Sequence, residues 1–107
     1  MATPTTLTEV KWQKRADGDY CLSGRLERDT VSAFWRQRAA WLPTESQVTL
    51  DLSAVERVDS AGMVMLLHLC QAVAHSGGHL TLHHVPEQLN TLLRLSHVDS
   101  LFAANIT

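Results

Sequence analysis

The sequence is poor in the features that mark a specialised chemical class. It holds two cysteines, Cys21 and Cys70, too few for a disulfide framework or a zinc site. Both lie among apolar residues and are read as small buried hydrophobes. Positive charge is not in excess: nine Lys and Arg stand against eleven Asp and Glu, a formal net charge of −2. Nothing is therefore left over to neutralise a phosphate backbone, and nucleic acid is not an expected partner. No polybasic run suits an anionic membrane surface. Long apolar runs are missing as well, since the longest strictly apolar stretch is Met63 to Leu67, far short of the ~20 residues of a membrane helix. The start, MATPTTLTEV, has no basic region followed by an apolar one, so no signal peptide and a cytoplasmic location are expected. Internal repeats, low-complexity tracts and linkers are absent, and among the three prolines and five glycines Pro43 and the Gly77-Gly78 pair fall where turns are expected.

What is present is an ordinary globular composition in 107 residues, 45% hydrophobic and 19% charged, enough for one core and one domain. Residues 1–7 are polar and Thr-rich, which predicts a loose, flexible start before a domain spanning 8–107. A first strand near Glu9 to Lys14, the turn residues Asp17-Gly18-Asp19, and a second strand from Tyr20 to Gly24 predict an antiparallel hairpin. Asp29 or Thr30 is placed to cap a helix whose stripe is Val31, Phe34, Trp35, Trp41 and Leu42, ended by Pro43. A short strand follows at Val48 to Leu52, then a spacer from Ser53 to Asp59, and a long helix from Ala61 to about His75, stopped by Gly77-Gly78. His79 to His83 alternates as a half-buried strand. Pro86 opens a last helix with Leu89, Leu92 and Leu93 on one face, and a short final strand is expected near Leu101. Strands alternating with helices predict an α/β fold, a mixed and mostly parallel sheet flanked by helices.

The most unusual stretch is Val58-Asp59-Ser60-Ala61-Gly62, between a strand and the longest helix. Asp59 or Ser60 can cap that helix, and the small Ala61 and Gly62 keep its first amides accessible. The plain reading is a helix cap. The functional one is that a helix start attracts anions, so a phosphate on Ser60 fits there and Asp59 opposes its charge. The helix itself carries an apolar arc of roughly 200°, wider than the stripe of somewhat over 100° that a surface helix requires. Either neighbouring helices cover the surplus, or its Met65 and Leu69 edge faces another protein. Trp35 is read as core. Six histidines do not suggest a metal site: His79 and His83 are ~13 Å apart along a strand, and His68 and His75 are about 10 Å apart along a helix with no acidic residue between them. No cofactor motif is present, and Ser60 lacks the leading glycine of a nucleophile elbow, so no catalysis is expected.

These residues resemble a STAS domain, the fold shared by anti-sigma-factor antagonists and the cytoplasmic tails of sulfate transporters. The carriers are Val48-Thr49-Leu50-Asp51-Leu52-Ser53, a short spacer, and Val58-Asp59-Ser60-Ala61-Gly62-Met63 leading into an apolar helix. The resemblance implies that Ser60 stands at the family's phosphorylatable position. Ala61 departs from it, standing where antagonists often carry a second hydroxyl. Leu22-Ser23-Gly24-Arg25-Leu26, Phe34-Trp35, the run Asp51 to Asp59 and Leu66-Leu67-His68-Leu69 resemble in particular the small STAS subunits of Gram-negative phospholipid ABC transporters. The implied role is a non-enzymatic regulatory subunit that binds the transporter's ATPase, in a complex with a permease and a substrate-binding subunit. The implied contact is Asp59, Ser60, Ala61 and Gly62 with Met65, His68 and Leu69, so a bulky residue at Gly62 is expected to block binding without unfolding the domain. The alternative is an anti-sigma-factor antagonist switched by phosphorylation of Ser60.

Overall fold

The computed structural model describes residues 10–106; the expected loose start, and Glu9 of the first expected strand, lie outside them. Lys11–Lys14 forms β1 and Tyr20–Leu26 forms β2, paired antiparallel. Gly18 takes φ +94° in the turn between them, and the Asp17 carboxylate accepts the Asp19 amide, the local bond that makes Asp a turn former. β3 (Gln47–Val58) and β4 (His79–His83) complete a sheet in the order β1-β2-β3-β4, with β2, β3 and β4 parallel.

One face of this sheet is apolar: Leu22, Leu26, Val48, Leu50, Leu52, Val58, Leu80 and Leu82 are all buried. The helices α1 (Arg28–Arg36), α2 (Arg38–Trp41), α3 (Ser60–His75), α4 (Glu87–Leu95) and α5 (Asp99–Phe102) supply the other half of the core. The parallel crossovers β2 to β3 and β3 to β4 advance in the same direction, so right-handed connections place their helices on one face. α3 lies at the centre with Met63, Met65, Leu66, Leu69, Cys70 and Val73 buried, a packed side chain of this size contributing roughly 1.5–3 kcal/mol. Val31 of α1, Leu89 and Leu93 of α4 and Phe102 of α5 close around it.

Several expectations from the sequence are corrected. The spacer from Ser53 is strand as far as Val58. Its alternation is hidden because two register irregularities against β2 insert extra residues, and because β4 pairs only with Gln47 to Asp51. Beyond that point the Ser53 and Val58 amides are taken by the side chains of Asp51 (2.8 Å) and Gln88 (2.7 Å). The first helix is capped by Glu27 rather than Asp29 or Thr30. Thr30 sits one turn in, and its hydroxyl accepts the Glu27 amide, one half of a reciprocal capping box. That helix also breaks at Gln37, and the Trp41 indole then donates to Phe34 O across the break. The last strand expected near Leu101 is instead α5. A helical turn puts Phe102 fully into the core, and Ile106 makes only an isolated bridge to Leu82.

Cys70 is buried as read, and burial pushes its thiol up to about 12. Cys21 is only half-buried, because its side chain lies on the sheet face opposite the helices. An aromatic disulfide reagent at pH 7 is therefore expected to modify Cys21 first, with Cys70 reacting only on unfolding. Equal labelling rates would contradict this.

Candidate functional site

The loop from β3 to α3 is built on Asp59. Its backbone N–H donates to Leu26 O at 3.1 Å. One carboxylate oxygen accepts the Gly62 N–H at 3.0 Å and the other accepts the Arg28 N–H at 3.1 Å. Asp59 is thus the cap of α3 and also ties the starts of α1 and α3 together, which no spacing along the chain reveals. The Gly62 amide, left open to an anion in the sequence reading, is already occupied by this carboxylate. The helix start therefore carries its own counter-charge.

Ser60 is the first residue of α3 and is exposed, and its hydroxyl makes no hydrogen bond among the described residues. Ala61 is half-buried, and Gly62 is buried. A side chain at Gly62 has no room: a Cβ there would lie 2.1 Å from Leu26 O. The expectation that a bulky residue at Gly62 leaves the domain folded is therefore corrected.

Met65 and Leu69 do not form an exposed edge either, being 4% and 0% exposed. The wide apolar arc of α3 is consumed by the sheet together with α1 and α4, which flank it on two sides. Along its middle α3 leaves open Val64, 43% exposed, with His68 and Gln71, and at its ends Ser60, Ala74 and His75. Val64 and His68 face α1 across a shallow groove of about 190 Å³, lined by Val31, Ser32 and Trp35 on one side and Ala61, Val64, Met65 and His68 on the other. Met65 contributes its floor. Trp35, read as core, packs on the core with one part and lines the groove with another. Its ring lies 6.2 Å from that of His68, and the Arg38 guanidinium lies 4.9 Å above it.

Two polar clusters lie away from this groove. Asp51, 5% exposed, accepts from Arg15 Nη1 at 2.7 Å and the Ser53 amide at 2.8 Å, and lies 3.0 Å from His84 Nδ1. Burial works against its ionisation, but the Ser53, Arg15 and His84 bonds outweigh it and hold the carboxyl well below its usual range. Glu45 accepts from its own backbone, Lys14 and Tyr20, and is held at about 2. Neither cluster was found from the sequence. The one available signal was an Asp between two leucines in a strand. Among the described residues no group of three His, Cys, Asp or Glu is placed to hold a metal ion, and no helix is long and apolar enough to cross a membrane.

With this geometry in hand, the relationships to known proteins are specific. Residues 13–103 match the family model described as Mlab, STAS domain. The chain is 33% identical over 91 residues to the intermembrane phospholipid transport system binding protein MlaB of Escherichia coli, covering 85% of this chain and 91% of that one. The solved anti-sigma factor antagonist from Mycobacterium paratuberculosis superposes with a TM-score of 0.68 at 18% identity, over 99% of this chain and 89% of that one. The murine Solute Carrier 26 family member A9 anion transporter aligns with a TM-score of 0.65 at 17% identity, over 83% of this chain but only 16% of that much longer one. The last two are likenesses of fold. The hairpin-led mixed sheet, the Asp59-capped turn and a match over most of the chain together establish that this protein belongs to the MlaB-type STAS domain family.

Proposed function

We propose that this chain is a non-catalytic regulatory subunit that docks on the cytoplasmic ATPase of an Mla-type phospholipid ABC transporter and supports its assembly and activity. The partner is an MlaF-like ATPase, in a complex with an MlaE-like permease and an MlaD-like substrate-binding subunit, at the cytoplasmic face of the inner membrane. The cellular process is intermembrane phospholipid transport that maintains outer-membrane lipid asymmetry. The observation that carries the reading is the unpaired, exposed Ser60 hydroxyl beside an apolar groove, in a chain one-third identical to a transport-system binding protein. Among the described residues no base stands within hydrogen-bond distance of the Ser60 hydroxyl, and its neighbour Asp59 spends both oxygens on backbone amides. The turn offers a rigid hydroxyl to a partner instead.

In the contact, Ser60 makes a direct hydrogen bond, and Val64, Trp35 and His68 supply the surrounding surface. Asp59, Ala61 and Gly62 hold the turn in shape, while Met65 and Leu69 support it from the core. Ser60→Asp adds a charge beside Asp59 and removes the hydroxyl, and is expected to weaken ATPase binding by ~5-fold to ~150-fold, as for a lost interface hydrogen bond. Calorimetry with the purified ATPase reads this, and a melting curve should show the variant folded because Ser60 is exposed. An unchanged Kd would remove Ser60 from the interface. The competing reading, an anti-sigma-factor antagonist, takes its support from the shared fold and the accessible Ser60 hydroxyl. Intact mass after incubation with ATP and a partner-switching kinase separates the two, and the transporter reading expects no added phosphate.

A further inference from the structure

We infer that the ATPase segment seated between α1 and α3 carries one large apolar side chain with a carboxylate on either side of it, the carboxylates held by Arg28 and Arg38. This rests on the function proposed above and names the partner's chemistry at that site. The groove holds about 190 Å³, below the ~300–1,000 Å³ of small-molecule sites and suited to a single side chain. Its lining is apolar at the floor, with Val31, Ala61 and Met65, and has Trp35 and Val64 at the sides. An aromatic wall beside a desolvated pocket is where an interface anchor contributes most.

Charge decides what flanks that anchor. α3 contains no Asp, Glu, Lys or Arg, so the α1 side sets the field. Arg28 falls on the same helical stripe as Val31, Ser32 and Trp35 and stands at the Ser60 end, where its amide meets Asp59. Arg38 stands at the other end, over the Trp35 ring. Among the described residues six acidic groups pair with cations elsewhere: Glu45 with Lys14, Asp17, Asp19 and Asp51 with Arg15, Glu56 with Arg25 and Glu27 with Arg57. The Asp59 carboxylate is taken by the Arg28 and Gly62 amides, Asp29 on α1 falls about 100° off the stripe that faces the groove, and Glu87 and Asp99 belong to α4 and α5. Arg28 and Arg38 enter no ion pair, and both are exposed. Arg36, also without an ion pair, adds to the positive field on the same helix. Two cations at the ends of an apolar slot complement an acidic, apolar, acidic segment. From Arg28 to Trp35 is seven residues, about 10 Å of helix, which sets the separation of the two carboxylates.

The test measures Kd for the purified MlaF-like ATPase at about 0.05 M and about 0.5 M salt, where screening lengths differ by roughly threefold. Arg28→Glu with Arg38→Glu is expected to weaken binding by about 30-fold or more at low salt and by under ~3-fold at high salt, the signature of exposed interfacial charge. Ser32→Trp, which fills the groove from its exposed rim, is expected to weaken binding by ~10-fold or more at both salts. Arg94→Glu on α4, a single reversal with half the charge change and away from the groove, is expected to stay within ~2-fold at high salt and above the double variant's effect at neither. Arg28→Gln with Arg38→Gln should show a smaller loss of the same salt dependence, which keeps the reading independent of any folding defect from reversal. A double variant no weaker than Arg94→Glu, or equally weak at both salts, overturns the inference while leaving the proposed function intact. An ATPase that does not bind the unaltered chain overturns both.

Discussion

Gly62→Ala is expected to destabilise the domain by about 3 kcal/mol, the upper end of the usual overpacking range, which for a domain near this size lowers Tm by roughly 12–24 °C. Helix propensity alone predicts the opposite, a gain of ~1 kcal/mol for replacing glycine inside a helix. Packing overrides it here. The added Cβ would lie 2.1 Å from Leu26 O and 2.7 Å from Leu26 Cβ, and the nearer atom is backbone that no rotamer change can move. Relief requires α3 to lift from the end of β2, which pulls on the bond from the Asp59 amide to Leu26 O. Gly77→Ala is a useful comparison, because φ is +95° there and the space is open, so only backbone strain of ~1–2 kcal/mol is expected. Urea unfolding of both variants reads the difference. A Gly62→Ala protein as stable as the parent would show that α3 does not approach β2 this closely. Binding assays on Gly62 variants consequently report folding, and Ser60 is the cleaner probe of the partner surface.

The second large effect concerns Asp51. Breaking a buried pair costs ~3–5 kcal/mol when the surviving charge is left dry. Arg15 keeps 39% of its side chain exposed and can return to water, so Asp51→Ala is expected to cost about 2–3 kcal/mol, part of it from the Ser53 amide left without an acceptor. The same bonds set a pH dependence. Asp51 is held below its ordinary value and Glu45 at about 2, so in the folded state both give up their protons more readily than in the unfolded chain. Their contributions are fully present above pH ~5 and are lost as pH falls through ~4 toward ~2. Urea unfolding from pH 7 to pH 3 should show stability level at first and then falling. Asp51→Asn should be less stable at pH 7 and lose less on acidification. A parent and variant with parallel acid slopes would show that Asp51 is not one of the groups responsible.

The hairpin, the two later strand and helix pairs, and the parallel sheet were legible because each rests on local chemistry. Gly18 and Asp17 make a turn wherever they stand, and Leu80 and Leu82 alternate because one face of β4 is buried. The second half of β3 was not legible, since its pattern is broken by irregular pairing with β2 that depends on residues 30 positions away. The break at Gln37 and the helical form of Asp99–Phe102 were likewise decided by where Trp41 and Phe102 could pack.

At the site the division is equally physical. From the sequence alone came a helix cap at Asp59 or Ser60, a serine at the helix start, and a helix more apolar than one sheet requires. Whether that surplus faced a partner was not a property of α3. It depended on α1 and α4, which cover Met65 and Leu69 and leave only Val64 and His68 open beside Trp35. Likewise, Asp59 could be read as a cap from its neighbours, but its second bond, to Arg28, exists only because β2 and β3 end side by side. Periodicity records which residues avoid water, whereas the surfaces left over for binding are set by which elements meet, and only the tertiary structure decides that.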